Sequence, residues 1–512
     1  MKKPILIISG ILVVLTLLKL YQINGGFVPS EPDERNYLDI VRNFRNGPLP
    51  NYDGIVLFHS PPFFHYLGFL ISFIVDGYFA IRLVSLLASL GLGITILFYL
   101  KSRFTFPIAA FASGLFLVLP ITVFYSRLGL IEMLISFFAF SYIVSFQIAW
   151  EKNSFKWASV SGVALGLGLI TKYSILPLLG VPVVVCGLEI LSQIIKTKSL
   201  KFLLFKEFIR KNLLIVVLGL TALVIFAPVT YFNYSLNPFE FKTQIKQDFA
   251  LGGRTFELPV VMSYLQAIPS FFTWSVVGLF VLGIIRGLKS WRQYLPIFLS
   301  IVLLTYALLK IALYTPRYFV ILVPFLVVLI GLGTNWLVEI ITQKLKIPLS
   351  SNQVMGGITL AIVVLGVSPL ITAFSASYHI TIEEVGNYVK EQNTDNQWVA
   401  SNYWPSAFVD QVGYKISWYS SDLRDSKTFS AEGKTKYQSL DSPTFDLINK
   451  EGGWVIIENL FSQTISKGRE RYDLLNTLKS RQPVKIFTDL SPNWPYSSTN
   501  SNTFSVYHLV NP

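Results

Sequence analysis

Long apolar runs separated by short polar loops fill the first three quarters of the chain. A transmembrane helix needs about 20 apolar residues to cross the hydrocarbon core of a bilayer. One run over 63–75 is shorter, which is more typical of a re-entrant or interfacial segment. The pattern predicts an α-helical polytopic membrane domain over 1–376, with eleven spanning runs at 4–22, 79–100, 107–125, 130–150, 157–171, 174–195, 212–231, 265–285, 294–312, 317–338 and 354–374.

The basic residues indicate which loops face the cytoplasm. Together with Lys2 and Lys3, five alternate loops carry 17 basic and two acidic residues, whereas the first intervening loop carries three Arg and five acidic residues. Cytoplasmic loops are enriched in Lys and Arg, and every loop obeys this rule only if 63–75 does not cross. We therefore expect eleven transmembrane helices, with the N-terminus inside and the C-terminus outside. The first run lacks a small-residue cleavage site and is expected to be a retained signal anchor.

The composition is typical of a membrane protein, and the location of the basic residues indicates which class of partner is not expected. The chain is 52% hydrophobic and 14% charged, with a mean hydropathy of +0.54, whereas soluble domains are roughly a quarter charged. The net charge of +13 is accounted for by the short cytoplasmic loops, so no nucleic-acid partner is expected. Cys186 is the one cysteine; it excludes an intramolecular disulfide and is expected to be an inert buried thiol.

The pattern changes after about residue 376. Thr381-Ile382-Glu383-Glu384 matches a capping box and predicts a short helix through Gln392. The rest carries similar numbers of basic and acidic residues, so polyanion binding is not expected. Residues 377–512 are predicted to form a small soluble extracytoplasmic α/β domain. Its β-rich runs are 398–402, 414–419, 454–458, 484–487 and 504–509, and its helical stretches lie near 443–450 and 462–480.

The first outer loop, 23–62, opens with four carboxylates in nine residues. A helix that starts near Pro32 places Tyr37, Ile40, Val41 and Phe44 on one apolar stripe, and Asp33 lies on that stripe one turn before Tyr37. Acidic residues in a first turn also suit the helix dipole. Asp33 and Glu34 are therefore either a solvated first turn or carboxylates with a chemical role.

Further charged residues are predicted to lie on the same outer face as this helix. A carboxylate at this face is suited to act as a general base that removes a proton from a hydroxyl group. A cation is suited to bind a phosphate or pyrophosphate. Each cation alone could be a snorkelling interfacial residue, but their shared face favours a site. The residues are Arg127 and Glu132 between the third and fourth spans, Lys172 between the fifth and sixth, and Arg317 between the ninth and tenth.

Two other features carry weaker signals. His59, which precedes Ser60-Pro61-Pro62, is a candidate metal ligand, although a lone His in this context is more often a structural hydrogen-bond partner. Gly162, Gly166 and Gly168 resemble a phosphate-binding loop only superficially. Inside an apolar span they predict close helix packing.

The order of these motifs resembles that of the GT-C glycosyltransferases of the protein O-mannosyltransferase and aminoarabinose-transferase type. Two positions depart from the family pattern: Glu132 replaces the usual Asp, and Ser60 stands where the aminoarabinose branch often has Lys. The resemblance covers 1–340 and rests on Asp33-Glu34-Arg35-Asn36-Tyr37, Pro61-Pro62, Arg82-Leu83, Ser126-Arg127-Leu128 with Glu132, Gly166 to Lys172, and Arg317-Tyr318.

The resemblance implies an inverting glycosyltransferase. Such an enzyme moves a sugar from a polyprenyl-phosphate carrier in the lipid membrane to a hydroxyl of a glycan, lipid or protein on the outer face. Asp33 would be the base that deprotonates or orients the acceptor, Glu34 would support it, and Glu132 completes the expected catalytic carboxylates.

The same resemblance assigns the cations to the lipid phosphate. Arg127, Lys172 and Arg317 would hold it, with Tyr318 as a hydrogen-bonding neighbour. Members of the family can hold a divalent metal ion near the first loop, so a metal is a candidate cofactor and His59 a candidate ligand.

Three alternatives remain open at this stage. A transporter or flippase for a lipid-linked substrate would more often place its charges near mid-membrane on interrupted helices and show repeat symmetry. A non-catalytic assembly factor would use the outer domain to dock partners. Among enzymes, an oligosaccharyltransferase or a polysaccharide ligase also fits.

Overall fold

The structure is a computed structural model that describes a defined set of residues of the chain. These are 14–23, 33–52, 55–75, 77–197, 206–252, 258–310, 316–345, 349–377, 381–401, 412, 416–418, 426–429, 435–438, 450, 452–458, 478, 481–492 and 501–510.

The chain divides into two compact units. The first comprises Met1–Tyr21 and Leu57–Ile371, and the second comprises Gln22–Val56 and Thr372–Pro512. The segment that carries Asp33 and Glu34 therefore belongs to the same unit as the C-terminal sheet. The predicted boundary between 376 and 377 remains a prediction.

Helices form the first unit. Helix formation follows from the bilayer, in which every backbone amide must bond within its own segment. After a helix over 14–20, the helical elements are Phe63–Ile71, Gly77–Lys101, Phe106–Val118, Pro120–Ser126, Glu132–Lys152, Phe155–Leu169, Tyr173–Leu179, Gly180–Thr197, Lys206–Leu236, Pro238–Gly252, Leu258–Lys289, Trp291–Leu309, Pro316–Leu322, Val323–Glu339, Ile340–Lys344 and Ser351–Ala376.

Eight helices within the described ranges are long and apolar enough to cross a membrane, or nine if one bent pair is a single span. These eight coincide with eight of the predicted runs, so the prediction of an integral multi-pass membrane protein is confirmed. The predicted run 157–171 is a 15-residue apolar helix, and most of 4–22 lies outside the described residues. The count of eleven and the orientation remain predictions. Over 63–75 the helix is only nine residues long, too short to cross.

Helix geometry changes within or at the start of three of the predicted spans, each time near a proline. Residues 107–125 form two helices bent by 58°, because Pro120 begins a new helix after the extended Leu119. The span beginning near 174 opens as a 3₁₀ helix that contains Pro177. The span beginning near 317 opens as a 3₁₀ helix that starts at Pro316. Both 3₁₀ segments stand directly beside predicted site residues.

Glycines allow the helices to pack at backbone distance, as the sequence predicts for Gly162 and Gly166. A Cβ added to Gly166 would lie 2.9 Å from the carbonyl oxygen of Ala222. Tighter still is the crossing of Leu258–Lys289 with Val323–Glu339. There a Cβ on Gly283 would collide with the carbonyl of Leu329, and one on Gly333 with the carbonyl of Leu279.

A polar network joins three helices at the end of Glu132–Lys152 remote from Glu132. Arg103 donates through Nη2 to both oxygens of Glu151, at 2.7 and 2.9 Å. Gln147 donates to Glu151 and to the carbonyl of Gln293, and it accepts from the Tyr99 hydroxyl at 2.8 Å. The amide nitrogen of the buried Gln147 therefore donates two hydrogen bonds, and its oxygen accepts one.

The second unit is an α/β unit with a mixed seven-stranded sheet. Helices Asp33–Asn43 and Thr381–Gln392 accompany a hairpin of β1 (Asn51–Tyr52) and β2 (Ile55–Val56). The sheet order is β6-β5-β4-β3-β7-β9-β8, with β3 parallel to β4 and β7 and the other pairs antiparallel. Its strands are β3 (Val399–Ser401), β4 (Ile416–Trp418), β5 (Ser426–Phe429), β6 (Thr435–Gln438), β7 (Gly453–Glu458), β8 (Lys485–Pro492) and β9 (Ser501–Leu509).

The predicted fold class, a helical membrane protein with a small C-terminal α/β part, is confirmed. The helix predicted from Thr381 to Gln392 has those bounds, and all five predicted β-rich runs contain strands. β5 and β6 were not predicted, because SKTF and TKYQ carry no run of apolar residues. The helical stretches predicted near 443–450 and 462–480 lie almost entirely outside the described residues.

Candidate active site

Glu132 is the centre of a charged cluster in the first unit. Lys172 donates through Nζ to Oε1 of Glu132 at 2.7 Å. Nε of Arg317 lies 3.9 Å from the same oxygen, an ion-pair distance that is too long for a hydrogen bond. Three segments that are far apart in sequence therefore meet at one carboxylate. We call Glu132, Lys172, Arg317 and Tyr318 the Glu132 cluster.

The ring of Tyr318 joins the two cations. Lys172 Nζ lies 4.7 Å from the ring centroid, and Cζ of Arg317 lies 5.2 Å from it. A cation within about 6 Å of an aromatic centroid is attracted by the ring quadrupole. The structure therefore places Tyr318 as a cation–π partner of both site cations.

Local backbone geometry brings these side chains together. Glu132 is the first residue of its helix, where a carboxylate interacts favourably with the helix dipole. Lys172 is extended and directly precedes the 3₁₀ helix Tyr173–Leu179. Arg317 lies in the 3₁₀ helix Pro316–Leu322. Each of the three residues therefore lies at or near the start of a helix, at the end of a predicted span.

The two cations of the Glu132 cluster are more exposed than its carboxylate. The exposed fraction of the side chain is 4% for Glu132 but 25% for Lys172 and 15% for Arg317. One carboxylate faces two cations, and its Oε2 has no hydrogen-bond partner among the described residues. The cations are open to a ligand and the carboxylate is covered.

The electrostatics keep Lys172 charged. Burial by itself lowers the pKa of Lys172, but the neighbouring Glu132 carboxylate and Tyr318 raise it, and the net pKa lies above the ordinary Lys value of 10.5. At neutral pH the ammonium is protonated, as an anion-binding group must be.

Arg127 has a different environment from the other two predicted phosphate ligands. It is completely buried, and it donates through Nε to the carbonyl of Lys19 at 3.2 Å and through Nη2 to the carbonyl of Tyr21 at 2.7 Å. Burial, and then repulsion from Arg82, lowers its pKa to about 10. Arg127 thus anchors the end of the helix over 14–20, whose Lys19 in turn donates to Ser89 at 2.9 Å.

Asp33 and Glu34 open the helix Asp33–Asn43 of the second unit. Ile40, Val41 and Phe44 are buried as predicted, but the buried face also contains Glu34 and Leu38. Glu34, rather than Asp33, is the completely buried carboxylate. Asp33 is partly exposed and accepts a hydrogen bond from Nδ2 of Asn36 at 3.4 Å. Asp33 and Tyr37, which were predicted to lie one turn apart on the same stripe, are both half-buried, whereas Glu34 lies within the buried face.

His59 is bound to Gln244 in the first unit. Nδ1 of His59 lies 2.6 Å from Oε1 of Gln244, which also accepts the backbone N–H of His59 at 3.3 Å, while Nε2 of Gln244 donates to Glu240 at 3.0 Å. No group of three His, Cys, Asp or Glu side chains suited to a metal ion occurs among the residues that the structure describes. The metal-ligand role of His59 stays a prediction.

Sequence reasoning missed Gln244 and the helix Pro238–Gly252 that carries it. This helix mixes apolar and charged residues, so no apolar run indicates it. Its first turn holds a usable signal, because Asn237 accepts the backbone N–H of Glu240 at 3.1 Å, as an N-cap does.

Comparison with known proteins supports the resemblance inferred from the motifs. Residues 59–232 match the family of dolichyl-phosphate-mannose-protein mannosyltransferases. No curated protein sequence gives a significant match.

Solved structures match almost the whole chain. ArnT from Cupriavidus metallidurans in the apo state gives a TM-score of 0.62 at 13% identity, covering 99% of this chain and 98% of ArnT. The same enzyme bound to undecaprenyl phosphate gives 0.62 at 14%, with the same coverage. The oligosaccharyltransferase AglB from Archaeoglobus fulgidus, in complex with an inhibitory peptide and a dolichol-phosphate, gives 0.51 at 11%, covering 88% of this chain and 69% of AglB. The chain therefore has the fold of ArnT over almost its whole length.

Proposed function

We propose that this protein is an inverting glycosyltransferase that takes a sugar from a polyprenyl-phosphate carrier and transfers it to an acceptor hydroxyl on the outer face of the membrane. The observation that carries the proposal is the Glu132 cluster, in which two partly exposed cations, Lys172 and Arg317, lie at one carboxylate oxygen. A lipid phosphate is an anion that these two cations can bind. The ArnT structure of the same fold contains undecaprenyl phosphate, which supports a carrier of this class.

The two cations act on the leaving group. When the bond between the anomeric carbon and the phosphate oxygen breaks, negative charge grows on the phosphate. Lys172 and Arg317 stabilise that charge, and they do so without rearrangement because Glu132 and Tyr318 already hold them. Glu132 is thus a positioning residue in this proposal, and the cations contact the substrate.

Asp33 acts on the acceptor. As the hydroxyl oxygen forms its bond to the anomeric carbon, its proton passes to the Asp33 carboxylate, and the polyprenyl phosphate leaves from the opposite side of the ring. One displacement inverts the anomeric configuration. The partial exposure of Asp33 suits contact with an acceptor, whereas the completely buried Glu34 suits a supporting role.

The predicted topology supports action on the outer face. The distribution of Lys and Arg predicts that four charged residues lie at span ends outside the cytoplasm. These are Asp33, Glu132, Lys172 and Arg317. Arg127 fits less well as a phosphate ligand, because it is completely buried and donates to backbone carbonyls. It serves the site by anchoring the chain just before the loop that carries Asp33.

The test combines genetics with direct binding. In cells that lack the gene, mass spectrometry should show loss of one sugar from surface glycans, lipids or proteins and accumulation of its polyprenyl-phosphate carrier. Wild-type protein should reverse both changes. Asp33→Asn should reverse neither, because an amide cannot accept the proton, while the amount of protein in the membrane stays normal.

Matched variants separate this function from its alternatives. Asp39→Asn changes a carboxylate of the same helix that pairs with Arg35 at 3.3 Å, and it should retain transfer. Purified protein should bind undecaprenyl phosphate, and Lys172→Met should weaken that binding. Full transfer by Asp33→Asn would overturn the proposal. Unchanged sugar pools together with altered distribution of the lipid carrier across the membrane would instead support a flippase.

A further inference from the structure

Thr273 interrupts the helix Leu258–Lys289 with a backbone conformation that is unusual for its residue type. Its φ is 63° and its ψ is 153°, a region that is essentially restricted to glycine. Threonine is β-branched, so this conformation is strained. The side chain is buried, and its hydroxyl contacts that of Ser275 at 3.1 Å across the break. Strain of this kind persists only where the surrounding structure imposes it.

The part of the helix after the break is fixed. Gly283 and Gly333 bring it into direct backbone contact with the helix Val323–Glu339, because a Cβ at either position would collide with a carbonyl of the other helix. Residues 274–289 therefore have little freedom to move relative to Val323–Glu339.

The part before the break encloses one phenylalanine of the site-bearing segment. The ring centroid of Phe319 lies 5.6 Å from that of Phe271, 5.9 Å from that of Phe272 and 6.2 Å from that of Tyr264. All four residues are buried. Aromatic rings at these separations attract one another beyond their shared burial, so Phe319 is held on several sides.

Phe319 is joined directly to two members of the Glu132 cluster. It follows Arg317 and Tyr318 within the 3₁₀ helix Pro316–Leu322, and in so tight a helix a shift of one residue carries its neighbours with it. Arg317 already lies at the long end of ion-pair distance from Glu132. A displacement of about 1 Å is enough to disturb a binding geometry of this type.

We propose that the half-helix 258–272 is a positioning element for the lipid-phosphate site. This half-helix holds Arg317 and Tyr318 in place through Phe319. The break at Thr273 sets the direction of the half-helix. The inference rests on the proposed function, because it assigns these residues to the phosphate end of that site. Phe319 and Thr273 contact no substrate and act through Arg317.

The test measures binding of undecaprenyl phosphate to full-length purified protein, together with the melting temperature in the same detergent. Phe319→Leu removes the ring that the half-helix encloses and should weaken binding by about tenfold, which is within the usual range for a residue that acts through another. The matched control is Phe325→Leu. Phe325 is also completely buried and lies in the next helix, but its ring contacts Phe140. Phe325→Leu should lower the melting temperature equally and leave binding within about twofold.

Thr273 supplies a second, independent variant. Thr273→Gly preserves the break and removes its strain, so the melting temperature should rise while binding stays unchanged. Thr273→Pro fixes φ near the helical value and cannot adopt the break, so it should weaken binding as Phe319→Leu does.

The outcomes separate the inference from the function. If wild type binds and Lys172→Met does not, but Phe319→Leu and Phe325→Leu bind equally well, the inference is wrong and the proposed function stands. If wild type fails to bind undecaprenyl phosphate, the proposed function itself fails. Normal binding by both Phe319→Leu and Thr273→Pro would likewise overturn the inference, whatever their stability.

Discussion

Lys172 Nζ lies 2.7 Å from Oε1 of Glu132, although the two residues are 40 positions apart in the chain. Nε of Arg317 lies 3.9 Å from the same oxygen, so the Glu132 carboxylate contacts two cations. One carboxylate oxygen therefore holds two cations that come from distant segments of the chain.

Shortening the carboxylate side chain should disrupt this arrangement. In Glu132→Asp the carboxylate withdraws by about one carbon–carbon bond, so it cannot contact Lys172 and Arg317 together. We expect a loss of stability of about 3 kcal/mol, because breaking a buried ion pair leaves uncompensated charges, and weaker binding of undecaprenyl phosphate. Glu151→Asp, at the other end of the same helix, changes a carboxylate whose side chain is 40% exposed in its pair with Arg103, so it should cost less. Equal stability of the two variants would contradict this account.

The charge state of Lys172 should make binding insensitive to pH in the neutral range. Its folded-state pKa is raised above 10.5, so its contribution is fully present below 10.5 and is lost only as the pH rises through the folded-state value. Undecaprenyl phosphate should therefore bind wild type equally from about pH 7 to 9, where a phosphate monoester keeps most of its charge (its second pKa is about 6).

Replacing Lys172 by histidine should introduce a pH dependence. The ordinary pKa of His is about 6.5, so Lys172→His should lose binding between about pH 6 and 8. Lys211→His is the control, since Lys211 pairs with Glu189 at 3.6 Å outside the Glu132 cluster. A flat profile for Lys172→His would show that this ammonium does not contribute its charge to binding.

Arg127 should matter more for stability than for phosphate binding. Lysine cannot reproduce the two directions in which the guanidinium donates to the carbonyls of Lys19 and Tyr21. Arg127→Lys should therefore lower stability by about 2–4 kcal/mol, the scale of losing hydrogen bonds from a buried charged donor. Its affinity for undecaprenyl phosphate, measured below the melting transition, should fall less than that of Lys172→Met. The reverse pattern would restore Arg127 as a phosphate ligand.

The glycine crossing should tolerate no side chain. Gly283→Ala places a Cβ against the carbonyl of Leu329 and should cost about 2–3 kcal/mol through forced helix separation. Gly278 lies in the same helix, and an added Cβ there meets no atom within 4 Å. Gly278→Ala should stabilise by up to about 1 kcal/mol, because alanine favours the helix. Melting temperatures of the two variants in one detergent provide the comparison.

Several features of the molecule could be predicted because they depend on local sequence. The length of an apolar run fixes whether a helix can cross a bilayer, and eight predicted runs coincide with helices that are long and apolar enough to do so. The capping box from Thr381 fixed a helix start for the same local reason. Gly162 and Gly166 indicated close packing because only a missing side chain lets two helices meet at the backbone.

The shape of the spans depended on the rest of the molecule. Periodicity shows that 107–125 is apolar, but not that it bends by 58°. The positive φ of Thr273 could not be predicted from the sequence. Threonine disfavours this conformation, so only the packing around the residue can impose it.

The sequence by itself determined that this is a polytopic membrane protein and which charged residues stand at the ends of its apolar runs. Only the tertiary structure decided which groups those residues contact. Lys172, Arg317 and Arg127 are alike in sequence terms, since each is a cation at the mouth of a span. Packing joins the first two to Glu132 and Tyr318 and joins Arg127 to two backbone carbonyls. A charge at a span end must find a partner, and which partner it finds depends on segments far away in the chain.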